Sequence, residues 1–170
     1  MGSQITLFTD FFDLELLDEI QTFILTKSKS PTPYLGRTNI CWDDFIVGHS
    51  TPIIIIDMHD TEELSIKIKN SIKNKIGREP SNIMFYIWTK LSYIPWHNDH
   101  HVNGALTVYL NNYWDINWGG YFMYKNQNNE INAIKPETNL GVLQLEGVEH
   151  SVSTVNVNAE NRITLQTFFK

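Results

Sequence analysis

A chain of 170 residues and 19.8 kDa suits one domain that buries roughly 70% of its unfolded surface. With 42% hydrophobic and 19% charged residues it is neither disordered nor fibrous. Its net charge of −6, ten lysines and only three arginines (Arg37, Arg78, Arg162) argue against a general nucleic-acid or anionic-membrane surface, and its single cysteine, Cys41, allows no internal disulfide.

In chain order, Leu14, Leu16, Leu17, Ile20, Phe23 and Ile24 form one apolar helical stripe behind an Asp13 cap. The acidic residues from Asp10 to Glu19 interrupt any secretory signal, so the expectation is a cytoplasmic protein. Ile53–Ile56 is the longest aliphatic run, far below the ~20 residues of a membrane helix. A second helix is predicted from an Asp60 N-cap, with Glu63 closing a capping box, Leu64, Ile68, Ile72 and Ile76 at i+4 steps, and Gly77 as the stop. Its lysines, Lys67, Lys69, Lys73 and Lys75, read as a solvated face.

After a turn at Arg78–Ser81 the pattern changes to short strands punctuated by Asn, Gly and Pro. The candidates are Ile83–Ile94, Ala105–Leu110, Gly120–Tyr124, Ile131–Ile134, Leu140–Leu145, Val152–Val157 and Ile163–Phe169, with Asn126–Asn129 as a polar hairpin tip. Such spacing predicts a sandwich, jelly roll or small barrel with the helices packed outside it. One domain is expected, residues 1–80 as helical support and 81–170 as the β core.

The chemistry is concentrated in Tyr93-Ile-Pro-Trp-His97-Asn-Asp99-His-His101. Alternate side chains of an extended chain share a face, so His97 and Asp99 can point at one ion. The last histidine, His150, stands between two β-rich segments, where antiparallel pairing can bring it alongside. Two imidazoles and one carboxylate match the facial triad of non-haem Fe(II) oxygenases, which keeps positions open. His-x-Asp alone is a weak signal, and a lone histidine is more often a hydrogen-bonded core or surface residue. Twelve residues past His150, Arg162 opens an alternating strand in which Arg162, Thr164 and Gln166 share a face. An inward arginine needs an anion, for which a bidentate carboxylate is the best geometric match; pairing with a structural Asp or Glu is the alternative.

His100 and His101 are expected at the cavity rim beside the Asn103-Gly104 turn. His49, His59 and Cys41 have bland explanations, and Trp88, Trp96, Trp114 and Trp118 read as core before groove.

From about Ile83 to Phe169 the chain resembles the 2-oxoglutarate- and Fe(II)-dependent dioxygenases, and among them the prolyl hydroxylase group. The ordered residues that carry the resemblance are His97-Asn-Asp99, Tyr109-Leu-Asn111, Trp114-Asp115, Trp118-Gly119-Gly120, Pro136, His150-Ser-Val152 and Arg162-Ile-Thr164. The resemblance implies a mainly β, double-stranded β-helix (jelly-roll) core with flanking N-terminal α-helices. It implies Fe(II) held by His97, Asp99 and His150. It further implies 2-oxoglutarate clamped through its distal carboxylate by Arg162, with Tyr109 and Thr164 at positions that commonly hydrogen-bond the cosubstrate.

The implied reaction uses O2, with ascorbate as a possible accessory. It converts 2-oxoglutarate to succinate and CO2 while hydroxylating a C–H bond, first of all in a prolyl residue of a peptide or protein. A free amino acid or other small molecule is the alternative substrate. Asp99 supplies the carboxylate that halogenating relatives lack. Tyr121 stands where the group often has Glu or an aliphatic residue after Gly-Gly, and the helical front segment is short; both bear on substrate choice.

A non-catalytic jelly-roll binding module is the competing class. A cupin pattern wants His-x-His with a following Glu, which Val102–Leu110 does not supply, and repair of alkylated nucleic acid wants a second arginine soon after Arg162, where none occurs.

Overall fold

A computed structural model describes residues 4–28, 53–58 and 62–170. Among these described residues, ten strands form two antiparallel sheets. The major sheet has the order β1 (Ile5–Phe8), β8 (Gly141–Leu145), β5 (Gly104–Tyr109), β10 (Arg162–Phe169), β3 (Met84–Trp88), β2 (Ile53–Asp57). The minor sheet has the order β4 (Ile94–His97), β9 (His150–Val152), β6 (Phe122–Lys125), β7 (Ile131–Ile134). Among the described residues two helices, α1 (Leu14–Ser28) and α2 (Glu63–Ile76), cover the outer face of the major sheet. This is the jelly-roll core with flanking helices that the strand pattern and the resemblance lead one to expect.

Strand alternation explains the layering. In β3, Phe85 and Ile87 join the helix-facing core with Ile20, Ile24, Ile68 and Ile72, while Met84, Tyr86 and Trp88 face the minor sheet beside Ile94 and Val152. Both faces are covered, so all five residues are buried and the strand reads as a continuous apolar run.

Helix α1 starts where expected, the Leu16 N–H donating to Asp13 Oδ1 at 2.8 Å. Helix α2 stops at Gly77, whose N–H reaches the Lys73 carbonyl at 2.8 Å. Its N-cap is Glu62, with no side-chain capping bond, rather than Asp60, which lies outside the described residues together with Arg37, Cys41, His49 and His59.

Three strand expectations need correction. The single strand Ile83–Ile94 is two strands in different sheets: the chain turns at Lys90–Leu91, where Leu91 takes φ +68 and its N–H donates to the Val155 carbonyl. Strand β9 is His150–Val152, not Val152–Val157; beyond it only an isolated bridge, Val155 to Gly119, remains. Strands β1 and β2 were not among the expected elements.

Candidate metal and cosubstrate site

His97 ends β4 and His150 begins β9, and the two are Cα partners in the antiparallel pair. Cross-strand partners put side chains on the same face, and the two imidazole centroids lie 4.1 Å apart. Asp99 sits just past the end of β4, outside the strand, and turns back to them. Its Oδ1 lies 3.8 Å from His97 Nε2 and its Oδ2 3.6 Å from His150 Nε2, and one ligand atom from each residue falls within a 4.8 Å cluster.

Each imidazole is oriented from behind. Nδ1 of His97 donates to the Pro95 carbonyl and Nδ1 of His150 to the Val148 carbonyl, both at 2.9 Å. With the proton on Nδ1, each Nε2 keeps its lone pair and lies on the side of the Asp99 carboxylate, as in metal-binding histidines held by outer hydrogen bonds. His150 also stacks on Phe122, centroids 5.3 Å apart. Burial, then the neighbouring His97, pushes the His150 pKa down to about 4, against the opposing pull of Asp99 and the Val148 bond. The ring is therefore neutral at physiological pH.

In protein stripped of metal by a chelator this has a signed consequence. Between about pH 6.5 and 4 the unfolded chain protonates this histidine and the folded chain does not. The His150 contribution to stability is thus complete above pH 6.5 and declines as pH falls toward 4. Urea midpoints at pH 7 and 4.5 should differ more for the wild-type chain than for His150→Phe, and an equal difference would contradict the assignment.

The same cavity is lined on the major-sheet side by Tyr86, Trp88, Thr107, Gln144, Arg162, Thr164 and Gln166. The face shared by Arg162, Thr164 and Gln166 is thus the inner face. Arg162 is 1% exposed, and among the described residues no carboxylate pairs with it and its Nε has no hydrogen-bond partner. Its guanidinium is sandwiched by rings, 5.4 Å from the Trp88 centroid and 5.0 Å from that of Tyr109. Burial pushes its pKa down, offset in part by Tyr109. A charge so placed calls for an anion.

Tyr109 is fully buried, and its hydroxyl makes no hydrogen bond of full geometry. Burial raises its pKa more strongly than the adjacent Arg162 lowers it, keeping the phenol neutral and able to donate. Trp88 Nε1–H donates to Thr164 Oγ1 at 3.2 Å, which leaves the threonine O–H to donate elsewhere. Thr107 Oγ1 donates to Gln166 Oε1 at 2.6 Å, freeing the Gln166 amide hydrogens.

Other motif residues brace this arrangement. Asn111 receives the Ile163 N–H at 2.7 Å and donates to the Asn161 carbonyl at 2.8 Å, clamping the chain on both sides of Arg162. Trp114 Nε1 donates to the Gly119 carbonyl, and Asp115 caps the 3-10 turn Ile116–Trp118 through the Asn117 N–H. Both glycines of the pair have positive φ, +67 and +65. A Cβ on Gly119 would drive into the Thr154 carbonyl oxygen, and one on Gly120 would stand 2.9 Å from Arg162 Cδ.

The structure thus brings His97, Asp99, His150, Arg162 and Thr164 around one cavity, with Tyr109 against Arg162. His100 and His101 are exposed in the turn after Asp99 and do not line it. Trp96 lies outside it beneath Lys125, whose Nζ is 5.3 Å from the indole centroid. Trp88 is both core and cavity wall. Gln144, Thr107 and Tyr86 were not anticipated. The one sequence cue for Gln144 was a polar residue inside Val142-Leu-Gln144-Leu.

No protein-family model and no curated protein matches the chain. Solved structures do. A Pseudomonas putida prolyl-4-hydroxylase superposes with TM-score 0.77 at 14% identity, over 99% of this chain and 93% of that one. A Trichoplax adhaerens prolyl hydroxylase, in complex with a hypoxia-inducible-factor oxygen-degradation-domain peptide fragment, gives 0.78 at 15% over 98% and 83%. The viral collagen prolyl hydroxylase of Paramecium bursaria Chlorella virus-1, as its 2-oxoglutarate complex, gives 0.71 at 12% over 98% and 96%. The chain has the fold of the prolyl hydroxylase-like 2-oxoglutarate and Fe(II) oxygenases.

Proposed function

We propose that this protein is a 2-oxoglutarate- and Fe(II)-dependent dioxygenase that hydroxylates a prolyl residue in a peptide or protein. The observation that carries the reading is the buried Arg162, without a carboxylate partner among the described residues, in the same cavity as the His97–Asp99–His150 cluster. An anion-seeking fork and an open-sided metal triad in one chamber suit a dicarboxylate that must also touch the metal.

His97 and His150 offer Nε2 lone pairs and Asp99 a carboxylate oxygen, a donor set that suits Fe(II). When bound, Fe(II) supplies the activation of O2 and the oxidative decarboxylation that gives succinate and CO2. The chain's own part is positioning. Arg162 holds the distal carboxylate of 2-oxoglutarate, with Tyr109 and Thr164 donating hydroxyl hydrogens beside it. Phe122, Ile94, Val152 and Phe168 supply an apolar wall that limits water near the reacting centre.

The prolyl assignment is supported by neighbours that are prolyl hydroxylases, one of them bound to a peptide fragment. A reducing, cytoplasmic setting belongs to the same proposal, resting on Fe(II) and a single cysteine. Among the described residues no helix is long and apolar enough to cross a membrane.

The test is succinate formation from 2-oxoglutarate with Fe(II) and ascorbate, beside a panel of proline-containing peptides read by intact mass. Turnover with a +16 shift is expected on a prolyl peptide, and both signals should vanish in Asp99→Ala. Metal-loaded protein that yields no succinate, alone or with any peptide or amino acid, would contradict the dioxygenase reading.

A further inference from the structure

Gln144 is 4% exposed, the fourth of the five residues of β8, flanked in register by Ile5 on β1 and Ala105 on β5, and it lines the cavity of the triad. A glutamine buried among apolar strand residues is disfavoured unless its amide is satisfied. Here Nε2 donates to Asp99 Oδ2 at 2.8 Å and stands 3.4 Å from His150 Nε2. The opposite amide orientation would set its oxygen against a carboxylate oxygen, acceptor on acceptor.

The two histidines are oriented by backbone carbonyls that their own strands or flanks provide. Asp99 lies past the end of β4, and among the described residues no backbone group hydrogen-bonds its side chain. Among the described residues Gln144 is the only hydrogen-bond donor to its carboxylate. We propose that Gln144 is the positioning residue of the metal site, holding Asp99 Oδ2 by its amide so that Asp99 meets the metal through Oδ1 alone.

This rests on the metal reading of His97, Asp99 and His150 and adds what that reading leaves open: how a loop carboxylate is kept to one metal bond. A carboxylate with both oxygens free can take two coordination positions, and in a three-residue site the second would be lost to cosubstrate or oxygen. Outer hydrogen-bond partners of ligands typically change metal affinity by about 10–100-fold when removed.

The experiment compares the wild-type chain with Gln144→Leu, Gln144→Met and Asp99→Ala. Two apolar replacements of different shape are used so that a packing failure in one leaves the other to decide. Mn(II) affinity is read from the paramagnetic resonance of the free ion, the coordination of bound Co(II) from its visible absorption, and folding from the thermal midpoint. The expected result is Mn(II) binding weakened about 10–100-fold in the folded Gln144 variants, with altered Co(II) bands.

A purely structural role would lower the thermal midpoint and leave Mn(II) affinity and the Co(II) spectrum unchanged, and that outcome overturns the proposal. The underlying reading fails separately. If Asp99→Ala binds Mn(II) as the wild type does, the triad is not the metal site and the role of Gln144 falls with it.

Discussion

Arg162→Met is expected to separate cosubstrate binding from folding in opposite directions. Truncating one partner of a buried, hydrogen-bonded charge pair costs about 2–5 kcal/mol, which raises the Kd for 2-oxoglutarate from about 30-fold to several thousand-fold. Mn(II) affinity should not change, because Arg162 is not among the clustered ligand atoms. Without cosubstrate, however, Arg162 is a buried cation with no carboxylate partner among the described residues and a pKa pushed down by burial. Even a complete buried ion pair can often be replaced by apolar residues of similar volume at no cost or with a gain of about 1–4 kcal/mol, and a buried cation without a carboxylate partner has less attraction to lose. The urea midpoint of cosubstrate-free Arg162→Met should therefore hold or rise. Calorimetry with 2-oxoglutarate and urea melts check both halves. A destabilised variant that keeps its 2-oxoglutarate affinity would mean that Arg162 is a structural residue.

Gly119→Ala is expected to be the most damaging single methyl addition in the site region. Gly119 has φ +67 and ψ −143, a region open essentially to glycine, so any side chain is strained by about 1–3 kcal/mol before its neighbours are considered. The added Cβ would also meet the Thr154 carbonyl oxygen, a backbone atom that cannot yield without moving the chain beyond β9. Relief by moving Gly119 would break the bridge to Val155 and the bond from Trp114 Nε1. Together these amount to about 3–5 kcal/mol, enough to unfold a marginal domain. Urea denaturation of the variant should show that loss, with 2-oxoglutarate affinity falling alongside because Gly120 packs on Arg162. Gly120→Ala shares the positive-φ strain and meets the arginine's aliphatic stem as well as ring and side-chain carbons, so it should lower stability and cosubstrate affinity together, by less than Gly119→Ala on the folding side because its contacts are side chains.

These cases show which parts of the molecule are legible in one dimension. Strand alternation was enough to put Arg162, Thr164 and Gln166 on one face, because the period of two is a property of the local backbone. The β-rich segments on either side of His150 suggested that a distant strand could meet His97, and the two prove to be register partners. Local signals failed where the fold is decided elsewhere. The turn at Leu91 carries no Gly or Pro, since a bond to the Val155 carbonyl sixty-four residues on holds its positive φ. Strand β1 is a four-residue edge strand that exists because β8 is there to pair with it, and β2 read only as an aliphatic run. No local pattern marks Gln144 either: its partner Asp99 lies forty-five residues upstream, and only the closed sheet brings them together.

The physical roles of the Gly-Gly pair and of Asn111 likewise appear only in three dimensions. In the fold one glycine admits the Thr154 carbonyl, the next admits Arg162, and Asn111 ties the backbone on either side of that arginine.

In the proposed function His97, Asp99 and His150 hold one divalent metal within reach of a dicarboxylate clamped by Arg162. A crystal structure of the chain soaked with Mn(II) and a non-reacting 2-oxoglutarate analogue tests it most directly. The expected result is one anomalous peak bonded to Nε2 of both histidines and to a single oxygen of Asp99, with the distal carboxylate of the analogue on the Arg162 guanidinium. Metal bound elsewhere, or an Arg162 left without the carboxylate while the analogue sits at another site, would contradict it.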